Sequence, residues 1–209
     1  MESNWAVEHL QTIRTLMERS AVYRRALAPI MLFAGLLGVL AAGGGIVFHL
    51  DSTRAFGGLW LGTALVAVAG AFLIARRQAL KDHEPFWSPP TKRVAQALLP
   101  PLTAGLVVSF VAIGVLGNNA ENGFNLLLTL NWLMFYGCAV HAAGFFMPRG
   151  MRLFAWICIG LASGSLVLLM IISKALFPNA HWLMGFFFGV LHLAYGAYLY
   201  LTEKGKNAA

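Results

Sequence analysis

The sequence predicts an all-α polytopic membrane protein, with six transmembrane helices preceded by an amphipathic N-terminal helix. Three observations predict it. Hydrophobic residues make up 59% of the chain and charged residues only 11%, whereas soluble domains carry about a quarter charged residues. The mean hydropathy is +0.71. Apolar stretches near residues 26–48, 56–75, 94–117, 124–147, 153–173 and 182–201 each match the roughly 20 residues that a helix needs to cross about 30 Å of hydrocarbon.

Taken in order, residues 1–25 are expected to form a cytoplasmic amphipathic segment. Trp5, Leu10, Ile13, Leu16, Met17 and Val22 fall near helical spacing, with Glu8, Arg14, Glu18 and Arg19 among them. Such a helix lies on the lipid surface as an anchor, or docks a cytoplasmic protein partner or a second copy. No A-x-A-like cleavage site follows it, so no removable signal peptide is expected. Residues 26–202 are the six-helix domain and 203–209 a short cytoplasmic tail.

The first span carries a ladder of small residues, Ala34, Gly38 and Ala42. Three strict GxxxG pairs lie in later spans: Gly58 with Gly62, Gly160 with Gly164 and Gly185 with Gly189. Lipid gives apolar helices little hydrophobic reason to associate, so close backbone approach through small residues packs them. The pattern leaves open whether these faces meet within one chain or make a homo-oligomer. The longest connection, residues 76–93, contains three prolines, which argue against one helix running through it. Asp82, His83 and Glu84 in that loop are residue types that ligate metals, but three adjacent residues of this kind are also what a solvated loop carries.

Basic residues set the orientation. One side would hold Arg14, Arg19, Arg24, Arg25, Arg76, Arg77, Lys81, Lys92, Arg93, Arg149, Arg152, Lys204 and Lys206, leaving Arg54 and Lys174 on the other, 13 against 2 of the 15. Both termini are therefore expected in the cytoplasm of a bacterial cell, the protein sitting in its inner membrane. This asymmetry accounts for the net charge of +7 through the lipid bilayer's anionic head groups, without nucleic acid as a partner. The two cysteines, Cys138 and Cys158, lie inside spans and form no C-x-x-C, so neither a disulfide nor a zinc site is expected.

The even-numbered spans align on Trp60-Leu61, Trp132-Leu133 and Trp182-Leu183, with Val68, Val140 and Val190 each eight residues on. A triplicated two-helix hairpin is one reading of this spacing, and the ordinary composition of membrane interfaces is the other. Parallel hairpin repeats around an axis normal to the membrane would enclose a central pathway. The mitochondrial carriers share that plan in outline, but their charged Pro-x-Asp/Glu-x-x-Lys/Arg signature is absent.

No Asp, Glu, Lys or Arg lies in the middle of any span, which removes the carboxylate relays of pumps and the arginine ladders of voltage sensors. The candidate site residues are therefore His141, His192, Asn131 and Cys138. Asn131, Met134, Cys138 and His141 share one face of the fourth span; Gly185, Gly189, His192 and Gly196 share one face of the sixth. The first functional expectation is transport, or channel-like passage, of a small neutral solute that these residues bind. A non-transporting scaffold or sensor acting through the N-terminal helix is the alternative. A membrane b-type haem between His141 and His192 is a third, although their depths differ by roughly 6 Å at 1.5 Å per residue. Leu161-Ala162-Ser163-Gly164 with His192 resembles superficially the G-x-S-G and final-helix histidine of rhomboid proteases, with the serine one span later and leucine for the first glycine. No cofactor motif is present, and the residues lean away from an enzyme.

Overall fold

The computed structural model describes residues 26–116, 122–147, 150–171 and 179–207. The amphipathic helix expected over residues 5–22 lies outside them. The described chain contains six helices long and apolar enough to cross a membrane. We label them α1 (Ala26–Val47), α2 (Thr53–Lys81), α3 (Pro89–Leu116), α4 (Asn122–Ala143) and α5 (Gly150–Ile171), followed by the sixth span, Ala180–Thr202. That span opens as α6 (Ala180–Met184), passes through a π-helical turn (Gly185–Val190) and continues as α7 (Leu191–Asn207).

Local chemistry sets the helix ends. Ser52 caps α2, its hydroxyl accepting from the Ala55 N–H at 3.2 Å, and Asn179 caps α6, its side-chain oxygen accepting from the His181 N–H at 2.8 Å. Each cap satisfies one of the backbone donors that every helix start leaves unpaired. Two helices stop in the same way. Leu50 N–H bonds Gly45 O at 3.0 Å and His49 N–H bonds Ile46 O, with His49 at φ 50°. Glu84 N–H bonds Ala79 O at 2.9 Å and His83 N–H bonds Leu80 O, with His83 at φ 53°. Both are Schellman terminations with a histidine in the left-handed position that glycine usually fills. His83 thus ends a helix, and no cluster of three or more metal-ligating side chains occurs among the described residues.

The core is centred on α4, half of whose most apolar stretch is buried, against 6% for the peripheral α2. Leu27 and Met31 of α1, Leu130 and Leu133 of α4, Phe154 and Cys158 of α5 and Phe187 of the π turn form one apolar cluster. Phe56 and Trp60 of α2, Leu126 and Leu128 of α4 and Met184 of α6 form the other. Outward faces carry exposed Leu65, Val68, Phe110 and Met170, apolar surface of the kind acyl chains cover.

α1 crosses the sixth span backbone to backbone. A Cβ on Gly35 would lie 2.7 Å from Leu193 N, one on Gly38 would collide with the Phe188 carbonyl, and one on Gly189 would lie 3.0 Å from Val39 N. The Gly185/Gly189 pair therefore packs inside the chain, against the small-residue ladder of α1. Nothing lies within 4 Å of a Cβ at Gly58, Gly62, Gly160 or Gly164, whose faces stay open. The three aligned tryptophans occupy different surroundings. Trp60 is buried, Trp132 partly buried and Trp182 exposed, while Val68 and Val190 face outward and Val140 inward.

Candidate functional site

The fourth span supplies the interior polar wall. Asn125, Thr129, Trp132 and Tyr136 follow one another at intervals of 4, 3 and 4 residues, so they share one helical face over about 16 Å of rise. Each of the four side chains on this face makes at least one hydrogen bond. Asn125 Nδ2 donates to the Asp51 carbonyl at 2.7 Å, and the Thr129 hydroxyl donates back to Asn125 O at 2.9 Å. Trp132 Nε1 donates to Ser109 Oγ at 2.6 Å, and the Ser109 hydroxyl donates in turn to Gly105 O at 2.7 Å. Tyr136 reaches His192 at 2.7 Å.

His192 is 3% exposed and both ring nitrogens are bonded. Nδ1 lies 2.9 Å from the Phe187 carbonyl, which can only accept, so Nδ1 carries the proton and Nε2 accepts from the Tyr136 hydroxyl. The π turn makes this geometry available. Widening the helix pairs Leu191 N–H with Phe186 O, five residues back, and the Phe187 carbonyl is free to meet the ring. Phe154 meets the His192 ring edge-on at 5.1 Å, and Phe188 stacks at 5.9 Å. One turn on, Tyr195 stacks on Phe154 at 4.8 Å. Its hydroxyl is buried without a hydrogen-bond partner among the described residues.

A second buried histidine lies toward the other end of the bundle. His181 is fully buried; its Nδ1 accepts from Trp60 Nε1 at 3.2 Å and its Nε2 donates to the Leu50 carbonyl at 3.1 Å. An indole N–H only donates and a carbonyl only accepts, which fixes the tautomer. Phe56 meets His181 edge-on at 4.9 Å and stacks on Trp132 at 5.8 Å, 4° from parallel. Beside them Asp51 Oδ1 accepts from Asn179 Nδ2 at 3.1 Å. Asn125 is 2% exposed, and its Oδ1 is buried without a partner among the described residues. The turn at Leu50 and Asp51 thus receives hydrogen bonds from α4, from the α6 cap and from His181.

The expected site residues Asn131, Cys138 and His141 lie on α4 in different surroundings. Cys138 is exposed. Asn131 satisfies its own amide on the Leu127 carbonyl, four residues back, at 2.8 Å, so nothing forces it inward. His141 is half-buried between Phe145 and Trp156, with ring centroids 5.4 and 5.2 Å away. His192, with both nitrogens engaged by Tyr136 and Phe187, forms neither a facing pair with His141 nor a dyad with Ser163. Residues that sequence reasoning passed over carry the interior chemistry: Asp51, Trp60, Asn125, Tyr136, Asn179, His181 and Tyr195. The one sequence signal for them was Asn and His at the head of an apolar span, as in Asn179-Ala180-His181. No family model, curated protein or solved structure matches this chain.

Proposed function

We propose that this chain passes a small, neutral, hydrogen-bonding solute through its helix bundle. The observation that supports the reading is the polar column at the heart of an otherwise apolar molecule. Asn125, Thr129, Trp132 and Tyr136 of α4, with His181, His192 and Tyr195 of the sixth span, place a polar side chain near every helical turn. Buried atoms without a partner mark its two ends, Asn125 Oδ1 and Tyr195 OH. A buried polar atom without a partner costs on the order of 1–3 kcal/mol, and a passing donor or water would recover it. The column holds no Asp, Glu, Lys or Arg side chain, which suits an uncharged cargo. In this reading the protein sits in a bacterial inner membrane with both termini cytoplasmic, and the open Gly58/Gly62 and Gly160/Gly164 faces are available for a homo-oligomer.

The test is osmotic. Purified protein in liposomes, mixed in a stopped-flow cell against glycerol, urea or sucrose gradients, should swell or shrink faster than empty liposomes for at least one small solute. Asn125→Ala and Tyr195→Phe should slow that solute, and no excess flux for water, glycerol or urea would overturn passage.

The competing reading is a membrane scaffold or sensor working through its N-terminal helix. The backbone contact of α1 with the π turn favours it, because that contact closes one side of the bundle with no room for a solute. Deleting residues 2–20 should then abolish capture of a cytoplasmic partner while leaving the bundle folded. A haem ligand role for His192 would require its Nε2 to give up the bond from Tyr136.

A further inference from the structure

The connection between α2 and α3 folds back on the bundle in a way that its sequence did not announce. After the turn at His83, Phe86 returns to pack edge-on against Phe72 of α2, with centroids 4.8 Å apart and rings at 77°. Phe72 precedes Arg76 by four residues, so this contact lies about 6 Å nearer the bundle middle than the Arg76 backbone. Trp87 sits beside Phe86 at 6.0 Å and is 56% exposed. Its indole N–H makes no hydrogen bond among the described residues. Phe72 itself is 48% exposed on the outward face of α2.

Above this aromatic pair stand five exposed cations: Arg76, Arg77 and Lys81 at the end of α2, Lys92 and Arg93 at the start of α3. None of them has an ion-pair partner among the described residues. Asp82 and Glu84 are the only acids in the connection, so the loop keeps an excess of three positive charges. Cations on the outside with aromatic rings one turn deeper is the arrangement of a lipid head-group boundary. Phosphate sits at the level of the cations, and glycerol and the first methylenes meet the rings.

We propose that this loop is a binding site for an anionic phospholipid, its phosphate held among Arg76, Arg77 and Arg93 and its acyl chain lying against Trp87, Phe86 and Phe72. The site rests on the membrane reading of the six spans and is independent of what the bundle passes. Retention of the full chain in membranes through an alkaline carbonate wash tests the membrane reading separately.

The binding test uses the full-length protein in mild detergent, titrated with phosphatidylglycerol or phosphatidylcholine and read by mass spectrometry of the intact complexes. The wild-type chain should hold phosphatidylglycerol at least about fivefold more tightly, each basic residue near the surface contributing about that factor. Arg76→Gln/Arg77→Gln/Arg93→Gln should cut the preference by about tenfold or more, whereas Arg54→Gln, an exposed cation at the opposite end, should leave it unchanged. Trp87→Ala should weaken both lipids alike. Equal affinity for the two lipids in the wild type, or an undiminished preference in the triple variant eluting at the wild-type volume, would overturn the proposal. Displacement of bound phosphatidylglycerol by millimolar inorganic phosphate would also overturn it, since the site would then take free phosphate.

Discussion

Three interior aromatic side chains separate hydrogen bonding from packing. Tyr136 donates to His192 Nε2 at 2.7 Å, so Tyr136→Phe strips a buried acceptor of its only donor. The loss should lower unfolding stability by about 1–3 kcal/mol, read as an earlier thermal transition in detergent. Tyr195 offers the converse case, because its hydroxyl is buried with no partner. Tyr195→Phe removes only that group and should change stability by less than about 0.5 kcal/mol. If a solute or water docks there, the same variant slows flux, so a stable and inactive Tyr195→Phe separates a transport role from a packing role. His181→Phe keeps a flat ring but leaves both the Trp60 indole N–H and the Leu50 carbonyl unpaired. It should cost about 2 kcal/mol or more, and a wild-type melting profile would mean that water replaces both bonds.

At the level of helices, glycine has two distinct meanings in this chain. A Cβ at Gly38 would collide with the Phe188 backbone carbonyl, whereas nothing lies within 4 Å of a Cβ at Gly62. Gly38→Ala should therefore force α1 away from the π turn and destabilise the fold by about 2 kcal/mol or more, while Gly62→Ala in an open helix interior should be neutral or stabilising by up to about 1 kcal/mol. Thermal unfolding of the two variants side by side reads the difference, and equal transitions would mean that α1 does not bear on the sixth span. The sequence marked both positions as small-residue motifs and could not tell them apart. In lipid the outward face of a helix is as apolar as its inward face, so periodicity does not reveal which side meets protein. The same ambiguity hid the polar column. Asn131, Cys138 and His141 share a face as the spacing requires, but Cys138 on it is exposed and Asn131 bonds its own helix.

On the scale of the whole molecule, the spans themselves were legible because length and apolarity alone decide them. The stretch read as 26–48 is Ala26–Val47, and that read as 124–147 falls on Gly123–Ala143. α2 runs to Lys81, past the apolar limit near residue 75, because a helix continues through charged residues once they clear the hydrocarbon and ends where the Schellman turn stops it. Orientation depends on charge rather than on length, and it carries the last prediction. The connection at Asp51 and the start of the sixth span lie at one end of the bundle, tied together by the Asn179 bond to Asp51. Among the described residues that end holds Arg54, while Arg76, Arg77, Lys81, Lys92, Arg93 and Arg152 lie toward the other. Basic loops stay on the cytoplasmic side during insertion, so alkaline phosphatase fused after Asp51 should be active in the periplasm and the same enzyme fused after residue 205 should be inactive. The opposite result would invert the molecule. It would also move the α2–α3 loop away from the cytoplasmic leaflet, whose negative surface potential its five cations match.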